Sequence, residues 1–499
     1  MGVPKLLQEL ETEGDVKLID DRIYMKKLYD REKFCSNKLQ ALVYPRAFTT
    51  GNLFESKLTQ DLGDLNDDQH EAVSNALANN CFIITGPPGS GKTFAVKRLL
   101  RVLIKHEKYL PSDIGLAAPT GKAAKVLKEY VKDEFPMIES KTIHRLLQYS
   151  PANPGENPWG YNQNNKMPYK ILVIDETSMM DINLLYFLIR SIEDDTRIIF
   201  LGDVDQLPSV GPGKVLIDMI KSNAIPYTSL TKIIRQKVDS GIIHNAVNRI
   251  NKGLDIEPNT TDFFYIQCGS EDEIIRKTVE YVTRTLPATY GYDPKIDIQV
   301  IGPTKRGYTG TIKVNEILRE ELKEHGNPSV TFGIKTFTVG DKVVNTKNDY
   351  YNAKKASKDP DVDDPIFEED VFNGYIGLVE SVDIKKKSMI VDYGDAKRKY
   401  NDGKHDHLDY AYAMTVHRTQ GSEYRCIVIV LSKAYHGLLR RNVLYTGVTR
   451  GKERVIIIGD QWTLEQCIKN VYEEPRNTSL REMLSGEMDV SGINTAGNS

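Results

Sequence analysis

The chain has 499 residues, more than one hydrophobic core usually organises, so three or four structural units are expected. Hydrophobic residues make up 40% and charged residues 27% of the chain, values that exclude wholesale disorder and a fibrous repeat. The formal net charge of −3 excludes a chain-wide field that attracts nucleic acid, so any such contact must come from local grooves.

The cysteines and the N-terminal residues indicate the cellular compartment in which the protein is expected. The five cysteines are far apart and give neither a zinc-ligand spacing nor a disulfide framework, so a reducing compartment fits best. Acidic residues stand where a signal peptide needs an apolar run, and no apolar stretch approaches the length of a membrane span. We therefore expect no membrane contact and a cytoplasmic location, in a bacterial cytosol or a phage-infected cell.

The first 62 residues predict a small helix and hairpin region. Leu6, Leu7 and Leu10 follow helical spacing, and residues 16–25 predict two short strands around the turn at Asp20-Asp21.

Residues 63–236 alternate between short apolar runs and amphipathic helical stretches, which predicts a parallel sheet with helices on both faces. The runs are residues 82–84, 114–117, 171–174 and 198–201. A polar segment rich in Pro, Asn and Gly, residues 148–169, interrupts this first α/β domain and predicts an inserted loop or hairpin.

A second α/β domain is predicted from residues 237–335 and 405–475, with apolar runs at 298–301, 427–431 and 455–458. Between its two parts, residues 336–404 show short alternating strands with Gly-Asp and Asn-Gly turns, which predicts a small all-β insertion. Residues 476–499 end in a Gly/Asn/Ser stretch and predict a flexible tail.

The strongest local pattern is Gly86-Pro87-Pro88-Gly89-Ser90-Gly91-Lys92-Thr93, which follows a buried strand and precedes a helix. Residues without Cβ atoms let backbone N–H groups converge on phosphate oxygens, and the helix N-terminus adds positive charge. We expect Lys92 to reach the β- and γ-phosphates and the Thr93 hydroxyl to ligate Mg²⁺. The alternative is an ordinary glycine-rich turn.

A second signal is the carboxylate pair Asp175-Glu176, which ends the apolar run at 171–174. Adjacent strand residues point apart, so the two carboxylates can have different roles. Asp175 is expected in the Mg²⁺ shell and Glu176 is expected to polarise the attacking water. The alternative is a pair of acids that cap the following helix.

A P-loop alone is compatible with kinases, GTPases, transporters and motors, and the rest of the chain decides among them. Seven segments in collinear order resemble motifs Ia, Ib, II, III, IV, V and VI of the RecD-like branch of the superfamily 1 DNA helicases. They are residues 118–124, 142–147, 175–179, 202–211, 230–236, 415–423 and 444–450. The resemblance covers about residues 64–460, and residues 4–34 are similar to part of the winged-helix region of longer relatives.

This resemblance implies an α/β fold with two RecA-like P-loop domains, a hairpin insertion in the first and a small β-barrel insertion in the second. It implies that Gln69 contacts the adenine of ATP, Gln206 senses the γ-phosphate and Glu423 accepts from the ribose. Arg235 and Arg450 resemble arginine fingers, which supply charge to the transferred phosphoryl group from the second domain.

The resemblance also implies a single-stranded DNA track along loops at strand ends. The implied contacts are Pro119, Thr120, Gly121, Thr142, His144, Thr415 and His417. For the two histidines, a structural role is the alternative. The 148–169 insertion lies where relatives have a strand-separating pin, and Trp159 either stacks on a base there or anchors the loop.

Together these inferences predict an ATP- and Mg²⁺-dependent DNA helicase that moves 5′ to 3′ on single-stranded DNA, acts at duplex junctions and works as a monomer in replication, recombination or repair. One alternative is a DNA-stimulated translocase that displaces proteins without separating strands. Another is a nucleotide-regulated DNA-binding scaffold without turnover.

Overall fold

The computed structural model describes residues 3–19, 22–44, 61–150, 157–232, 240–259, 261–348, 371–401, 403, 405–471 and 476–488. The chain divides into two compact units. Unit 1 comprises Met1–Pro119, Ala123–Val238 and Glu473–Ser499, and unit 2 comprises Thr120–Lys122 and Asp239–Tyr472. Each unit contains a parallel sheet, as the buried apolar runs predicted.

The N-terminal region has the predicted hairpin. Strands β1 (Val16–Ile19) and β2 (Arg22–Met25) pair antiparallel between the helices Val3–Glu13 and Lys26–Leu42. The second helix buries Cys35, Leu39 and Leu42 in a core of unit 1, so this region shares a core with the first α/β domain.

The sheet of unit 1 has six parallel strands in the order β5-β4-β6-β7-β3-β8. The strands are β3 (Cys81–Thr85), β4 (Ile114–Ala118), β5 (Ser140–Thr142), β6 (Ile171–Ile174), β7 (Arg197–Gly202) and β8 (Tyr227–Ser229). Successive residues of β3 enter different cores, because side chains alternate between the two faces of a strand. Helices therefore cover both faces, which requires the continuous apolar runs seen in the sequence.

The helices of unit 1 follow its strands along the chain. Besides the two N-terminal helices they are Asp67–Ala78, Lys92–Lys105, Gly121–Val131, Ile143–Leu146, Ile182–Ile189, Val215–Lys221 and Leu480–Ser485, with 3-10 turns at Pro111–Asp113 and Thr177–Met179. The 148–169 insertion forms a hairpin base: Tyr149 and Trp159 make an antiparallel bridge, and the Ser150 N–H donates to the Pro158 carbonyl at 2.8 Å. Residues 151–156 lie outside the described residues.

The flexible tail predicted for 476–499 is wrong for residues 476–488. This segment contains the helix Leu480–Ser485, whose Leu480 and Leu484 side chains are 1% and 2% exposed in a core of unit 1. The polar composition concealed a short apolar face. The remaining predicted tail, 489–499, lies outside the described residues.

The sheet of unit 2 has five parallel strands in the order β18-β10-β19-β20-β9. They are β9 (Phe263–Gln267), β10 (Ile298–Gly302), β18 (Ala413–Thr415), β19 (Tyr424–Leu431) and β20 (Gly451–Gly459). The α-helices are Gly241–Ile243, Glu271–Glu280, Leu286–Tyr290, Thr311–Leu322, Arg441–Val448 and Gln461–Lys469, with π-helices at His244–Ile250 and Tyr281–Thr285 and 3-10 turns at His405–His407, Val416–Thr419 and Lys433–Leu438.

An antiparallel insertion interrupts unit 2, as the alternating strands predicted. A hairpin of β11 (Ser329–Phe332) and β12 (Lys335–Thr338) stands beside a five-stranded sheet in the order β16-β15-β14-β13-β17. These strands are β13 (Lys342–Asn345), β14 (Ile376–Asp383), β15 (Ser388–Asp392), β16 (Lys397–Asn401) and β17 (Leu408–Tyr410). The strands extend from 329 to 410, so the predicted bounds of 336–404 were too narrow, because β11 and β17 are too short for a clear pattern.

None of the helices in the ranges given above combines the length and apolar character that crossing a bilayer demands.

Candidate functional site

In unit 1 the predicted nucleotide residues follow three neighbouring strands at one edge of the sheet. Thr85, which ends β3, pairs with Gly202, which ends β7, and β6 is the next strand along. Because the strands are parallel, the loops that follow them emerge together at the carboxyl edge, where open α/β sheets bind ligands. The P-loop, Gln206 and Asp175 therefore belong to one edge.

The P-loop has the backbone shape of a phosphate cradle. Gly86, Gly89 and Gly91 have φ angles of 148°, 80° and 83°, a region that L side chains rarely adopt. A Cβ atom on Gly86 would stand 2.6 Å from the carbonyl oxygen of Leu230. Gly91 caps the helix Lys92–Lys105, whose N-terminus directs N–H groups and positive charge at the loop.

Lys92 lies over this loop and has only neutral acceptors. Its Nζ donates to the carbonyls of Gly86 at 2.6 Å and Pro87 at 3.1 Å. Among the residues with described positions, no carboxylate forms an ion pair with this ammonium. Its charge is therefore available to an anion, as a phosphate-binding lysine requires.

Asp175 and Glu176 follow β6 at a strained turn. Glu176 has φ 52° and ψ 40°, the left-handed region that non-glycine residues rarely adopt, and its N–H donates to Asp175 Oδ1 at 2.7 Å. Strain of this kind costs about 1–3 kcal/mol and clusters at functional sites. Glu176 precedes the turn Thr177–Met179, but its side chain makes no capping hydrogen bond. The helix-cap alternative therefore does not explain this carboxylate.

Gln206 lies in the loop after β7 and is 5% exposed. Its Nε2 donates to Asp203 Oδ2 at 3.2 Å, while its Oε1 is buried without a hydrogen-bond partner. The hydroxyl oxygens of Thr85, which ends β3, and Ser178, in the turn Thr177–Met179 after β6, are also buried and unpartnered. Unpaired buried polar atoms cost about 1–3 kcal/mol each, so three at one sheet edge indicate a ligand that pairs with them. Sequence reasoning missed Asp203, which holds Gln206 in place.

These features fit a magnesium nucleotide. The cradle exposes N–H groups, Lys92 carries an uncompensated charge, and Thr93 and Asp175 offer the oxygen ligands that Mg²⁺ prefers. Across the described ranges, no three His, Cys, Asp or Glu side chains gather into a metal site. A metal held by one carboxylate, one hydroxyl and substrate phosphates needs no such cluster.

Gln69 does not have the environment that an adenine contact requires. The side chain is fully buried, its Oε1 accepts from the Asn66 N–H at 3.3 Å, and its Nε2 donates to the Ser90 carbonyl at 3.1 Å. Gln69 and Asn66 form a reciprocal capping box at the start of the helix Asp67–Ala78. In this structure the amide braces the P-loop, and the adenine contact stays a prediction.

The predicted DNA contacts at residues 119–144 follow β4 and β5, on the far side of β6 from the P-loop. Pro119 and Thr120 come directly after β4 and are half-buried, and Gly121 begins the next helix. Thr142 ends β5 and is 6% exposed, and its hydroxyl accepts from the Arg145 N–H at 3.2 Å. This hydroxyl is an N-cap of the helix Ile143–Leu146.

His144 and Trp159 lie in one aromatic cluster. Their ring centroids are 5.7 Å apart, and Trp159 stacks on Phe187 at 4.3 Å with the rings 24° apart. Burial lowers the pKa of His144, so this imidazole is neutral near pH 7. Trp159 is 9% exposed and anchors the inserted hairpin to the helix Ile182–Ile189. In this structure Trp159 has the anchoring role, one of the two alternatives, and base stacking, which requires an open ring face, stays untested.

In unit 2 the two predicted nucleotide residues precede strands. Glu423 comes before β19 and pairs with Lys452 at 3.2 Å, and Arg450 comes before β20. Arg450 is 3% exposed and donates to the carbonyls of Thr446 and Ser422, both at 3.2 Å. No carboxylate among the described residues pairs with this buried guanidinium, so it retains charge for an anion. The other predicted finger, Arg235, lies outside the described residues.

Thr415 and His417 lie at the opposite edge of the sheet of unit 2. Thr415 ends β18, pairs with Gly302 at the end of β10 and is half-buried, and His417 is exposed. Sequence reasoning missed the loop after β10, where Lys305 and Arg306 are exposed. The signal available in the sequence was a Lys-Arg pair shortly after the buried run at 298–301.

Three sequence families match this chain in order. Residues 69–212 match the family described as "AAA domain", residues 314–393 match "ATP-dependent RecD-like DNA helicase SH3 domain", and residues 410–458 match "UvrD-like helicase C-terminal domain". The first contains the P-loop and the second overlaps the antiparallel insertion.

Two curated relatives are similar over almost the whole chain. The "ATP-dependent RecD2 DNA helicase" of Deinococcus radiodurans is 28% identical over 470 residues, which cover 93% of this chain and 59% of that protein. The "RecBCD enzyme subunit RecD" of Mycolicibacterium smegmatis is 27% identical over 494 residues, which cover 94% of this chain and 83% of that protein. This chain thus spans about three fifths of the length of the Deinococcus protein.

A solved Pif1 helicase from Bacteroides, in complex with ADP-AlF3 and ssDNA, covers 82% of this chain and 95% of its own, with a TM-score of 0.47 and 19% identity. The RecD-specific match at 314–393 coincides with the antiparallel insertion, and the P-loop match coincides with the cradle of unit 1. The chain is therefore similar in sequence to RecD-like helicases over most of its length.

Proposed function

We propose that this chain is an ATP-dependent DNA helicase that moves 5′ to 3′ along single-stranded DNA, with Mg²⁺ as its metal. The observation that carries the proposal is the carboxyl edge of unit 1. There a glycine cradle and the uncompensated Lys92 ammonium stand two strands from Asp175 and the strained Glu176.

Each group at this edge has a role in phosphoryl transfer to water. The loop N–H groups and Lys92 would bind the phosphates, and the unpaired Oε1 of Gln206 would accept from the attacking water and so respond to the γ-phosphate. Thr93 and Asp175 hold Mg²⁺, which neutralises charge on the phosphate oxygens. Glu176 orients the attacking water and accepts its proton.

Arg450 of unit 2 supplies positive charge to the transferred phosphoryl group during the catalytic cycle. The Arg450 guanidinium is already desolvated, so it loses little further hydration when it meets an anion. Glu423 binds the ribose, and Arg235 is proposed as a second finger. Hydrolysis would then require both units, which is how a motor converts turnover into movement.

Single-stranded DNA is proposed to contact the loops after β4, β5, β10 and β18. In unit 1, Pro119 follows β4 and is half-buried, and in unit 2 His417, Lys305 and Arg306 are exposed; partly charged loops of this kind contact a nucleic-acid backbone. We further propose that the chain works as a monomer at duplex junctions in replication, recombination or repair, in the cytoplasm.

The test is unwinding of matched duplexes that carry either a 5′ or a 3′ single-stranded overhang, with ATP and Mg²⁺. The proposal expects unwinding of the 5′-tailed duplex by the wild-type chain and none by Lys92→Ala. Strict preference for the 3′-tailed duplex rejects the direction, and absence of unwinding on both rejects the helicase assignment.

One observation favours the second candidate, a DNA-stimulated translocase that displaces proteins. Trp159, the aromatic expected at the strand junction, is packed inside unit 1. Deletion of residues 148–169 would open the core around Trp159 and Met167, so replacement of residues 151–156 by Gly-Gly is the sharper test. If this variant unwinds DNA as well as the wild type, the pin assignment is wrong. If it still displaces streptavidin from biotinylated DNA but no longer unwinds, the hairpin tip separates the strands.

A further inference from the structure

Arg476 makes a set of contacts that the sequence did not reveal. Its Nη1 donates to the carbonyls of Gly211 and Gly213, both at 2.8 Å, and to Ser209 Oγ at 3.3 Å. Its Nη2 donates to the Ser209 carbonyl at 2.7 Å. One guanidinium therefore closes four contacts on the five residues 209–213.

This stretch is the far end of the loop that carries Gln206. The near end is fixed by Asp203, which accepts from the Asp205 N–H at 3.0 Å and from Gln206 Nε2 at 3.2 Å. Ser209 is 3% exposed, whereas Val210 at the tip is 85% exposed. Arg476 holds the glycine-containing part of this loop in place, because its planar guanidinium donates to several carbonyls at once.

The segment that carries Arg476 is docked firmly on unit 1. The Ser479 N–H donates to Glu32 Oε2 at 2.8 Å, the Ser479 hydroxyl hydrogen-bonds Tyr24 at 2.6 Å, and the Thr478 hydroxyl donates to Asp218 Oδ2 at 2.9 Å. Leu480, Met483 and Leu484 are at most 2% exposed. These contacts join the N-terminal hairpin region, the helix Val215–Lys221 and the loop of Gln206 through one short stretch of chain.

We infer that Arg476 is a positioning residue for ATP turnover: by gripping residues 209–213 it holds Gln206 at the nucleotide edge, so that docking of the C-terminal segment sets the rate of hydrolysis. This inference rests on the proposed ATPase function. Arg476 itself touches neither the P-loop nor the carboxylates in the described contacts, so its effect passes through the loop.

The test compares Arg476→Ala with Arg481→Ala in the full chain. Arg481 lies in the same segment but forms an ion pair with Glu487 on the surface, so it is the matched control. We expect Arg476→Ala to lower kcat for DNA-stimulated ATP hydrolysis about 10-fold, with KM for ATP unchanged within about twofold, since it removes charge-assisted hydrogen bonds from a loop rather than from the phosphate cradle. Arg481→Ala should match the wild type.

Chemical rescue separates positioning from simple destabilisation. Guanidinium ion at a low, non-denaturing concentration should restore part of the rate of Arg476→Ala and leave Arg481→Ala and the wild type unchanged. Hydrogen exchange of the amides at 205–213 should become faster in Arg476→Ala alone.

The outcomes are distinct. Equal turnover by Arg476→Ala and the wild type overturns the inference and leaves the proposed function intact. A loss that guanidinium does not restore, with a lowered melting temperature, also overturns it in favour of a structural role. No turnover by the wild type in the same assay instead rejects the proposed function.

Discussion

The two parallel sheets share one architecture but distribute their candidate residues differently. In unit 1, Asp175 follows β6 and Pro119 follows the adjacent strand β4, so nucleotide and DNA candidates share one edge. In unit 2, Glu423 and Arg450 precede β19 and β20, whereas Thr415 follows β18, so the two sets lie at opposite edges. Fold alone therefore does not locate the chemistry.

Backbone strain and unpaired polar atoms distinguish the carboxyl edge of unit 1, where the catalytic candidates lie. Unit 1 holds Glu176 in a left-handed conformation beside the unpaired Gln206 Oε1. At the carboxyl edge of unit 2, Asp460 follows β20 and accepts from the Thr463 N–H at 2.8 Å, an ordinary helix cap. The one described non-glycine residue of unit 2 with positive φ is Lys387, in the turn between β14 and β15. One buried hydroxyl after β19, that of Tyr435, also has no hydrogen-bond partner, so the contrast rests on the strained Glu176 and on the larger number of unpaired atoms in unit 1.

The largest effect is expected at the amino edge of unit 2. Arg450→Ala should lower kcat for ATP hydrolysis by at least about 1000-fold, because an arginine that meets the transferred phosphoryl group stabilises its charge. Arg450→Lys should recover only part of the rate, since one ammonium does not replace the fork. The measurement is steady-state ATP hydrolysis, with the exposed Arg276→Ala as control. Near wild-type turnover by Arg450→Ala would remove unit 2 from the chemistry.

At the carboxyl edge of unit 1, Glu176→Gln should lower kcat about 100- to 1000-fold, because the amide cannot accept the proton of the attacking water. Binding of a fluorescent ADP analogue should persist, since the cradle and Lys92 are unchanged. The exposed Glu193→Gln serves as the matched control. If Glu176→Gln hydrolyses ATP at the wild-type rate, the strained turn has another purpose.

A smaller effect is expected for the carboxyl edge of unit 2. The double variant Lys305→Ala/Arg306→Ala should raise the single-stranded DNA concentration for half-maximal ATPase about 10-fold and make it less salt-dependent, because two phosphate contacts are lost. The DNA-independent rate should not change. Lys313→Ala is the control, because Lys313 pairs with Glu316 within the helix Thr311–Leu322. An unchanged DNA requirement would place the track elsewhere.

The smallest effect concerns buried charge. Burial raises the pKa of Glu32 in unit 1 to about 7, against an unfolded value near 4.5. The folded state therefore binds the proton more tightly, and the stability from this group is lost as pH rises from about 4.5 through 7. Glu32→Gln should gain melting temperature relative to the wild type between pH 5 and 8, by roughly 2 to 5 °C. A difference that does not change with pH would contradict the assignment.

Unit 2 supplies a comparison of opposite sign. Burial lowers the pKa of Lys342 to about 7, against an unfolded value of 10.5, and its Nζ donates to the Ile298 carbonyl at 3.0 Å. Here the unfolded state binds the proton more tightly, so stability rises as pH increases from about 7 toward 10.5. The melting temperature of the wild type should therefore rise relative to that of Lys342→Met as pH increases from about 7 to 10.5, which the same melting curves measure.

The sequence predicted what depends on local pattern. Continuous apolar runs located β3, β4, β6, β7, β10, β19 and β20, because strands buried on both faces cannot be polar. The sequence did not predict the three-residue edge strands β5 and β8, because Ser140–Thr142 and Tyr227–Ser229 are partly polar and too short to show an alternating pattern. The P-loop and the carboxylate pair were visible because their spacing is dictated by the chemistry.

What the sequence could not give were contacts between distant positions. Arg476 meets Gly211 across 265 residues, and nothing near either position marks the pair. Gln69 was assigned to adenine because its place in the chain matched relatives, whereas its burial depends on how the P-loop packs against the helix Asp67–Ala78. The anchoring role of Trp159 likewise depends on its stacking against Phe187, which lies on a different element, the helix Ile182–Ile189.

The most direct measurement is ATP hydrolysis by the wild type and by Lys92→Ala, each with and without single-stranded DNA, in the presence of Mg²⁺. The account predicts that DNA stimulates the wild type and that Lys92→Ala loses turnover by about 1000-fold under both conditions, because the phosphates lose their charged partner. Full hydrolysis by Lys92→Ala, or a wild-type rate that ignores DNA, would contradict it.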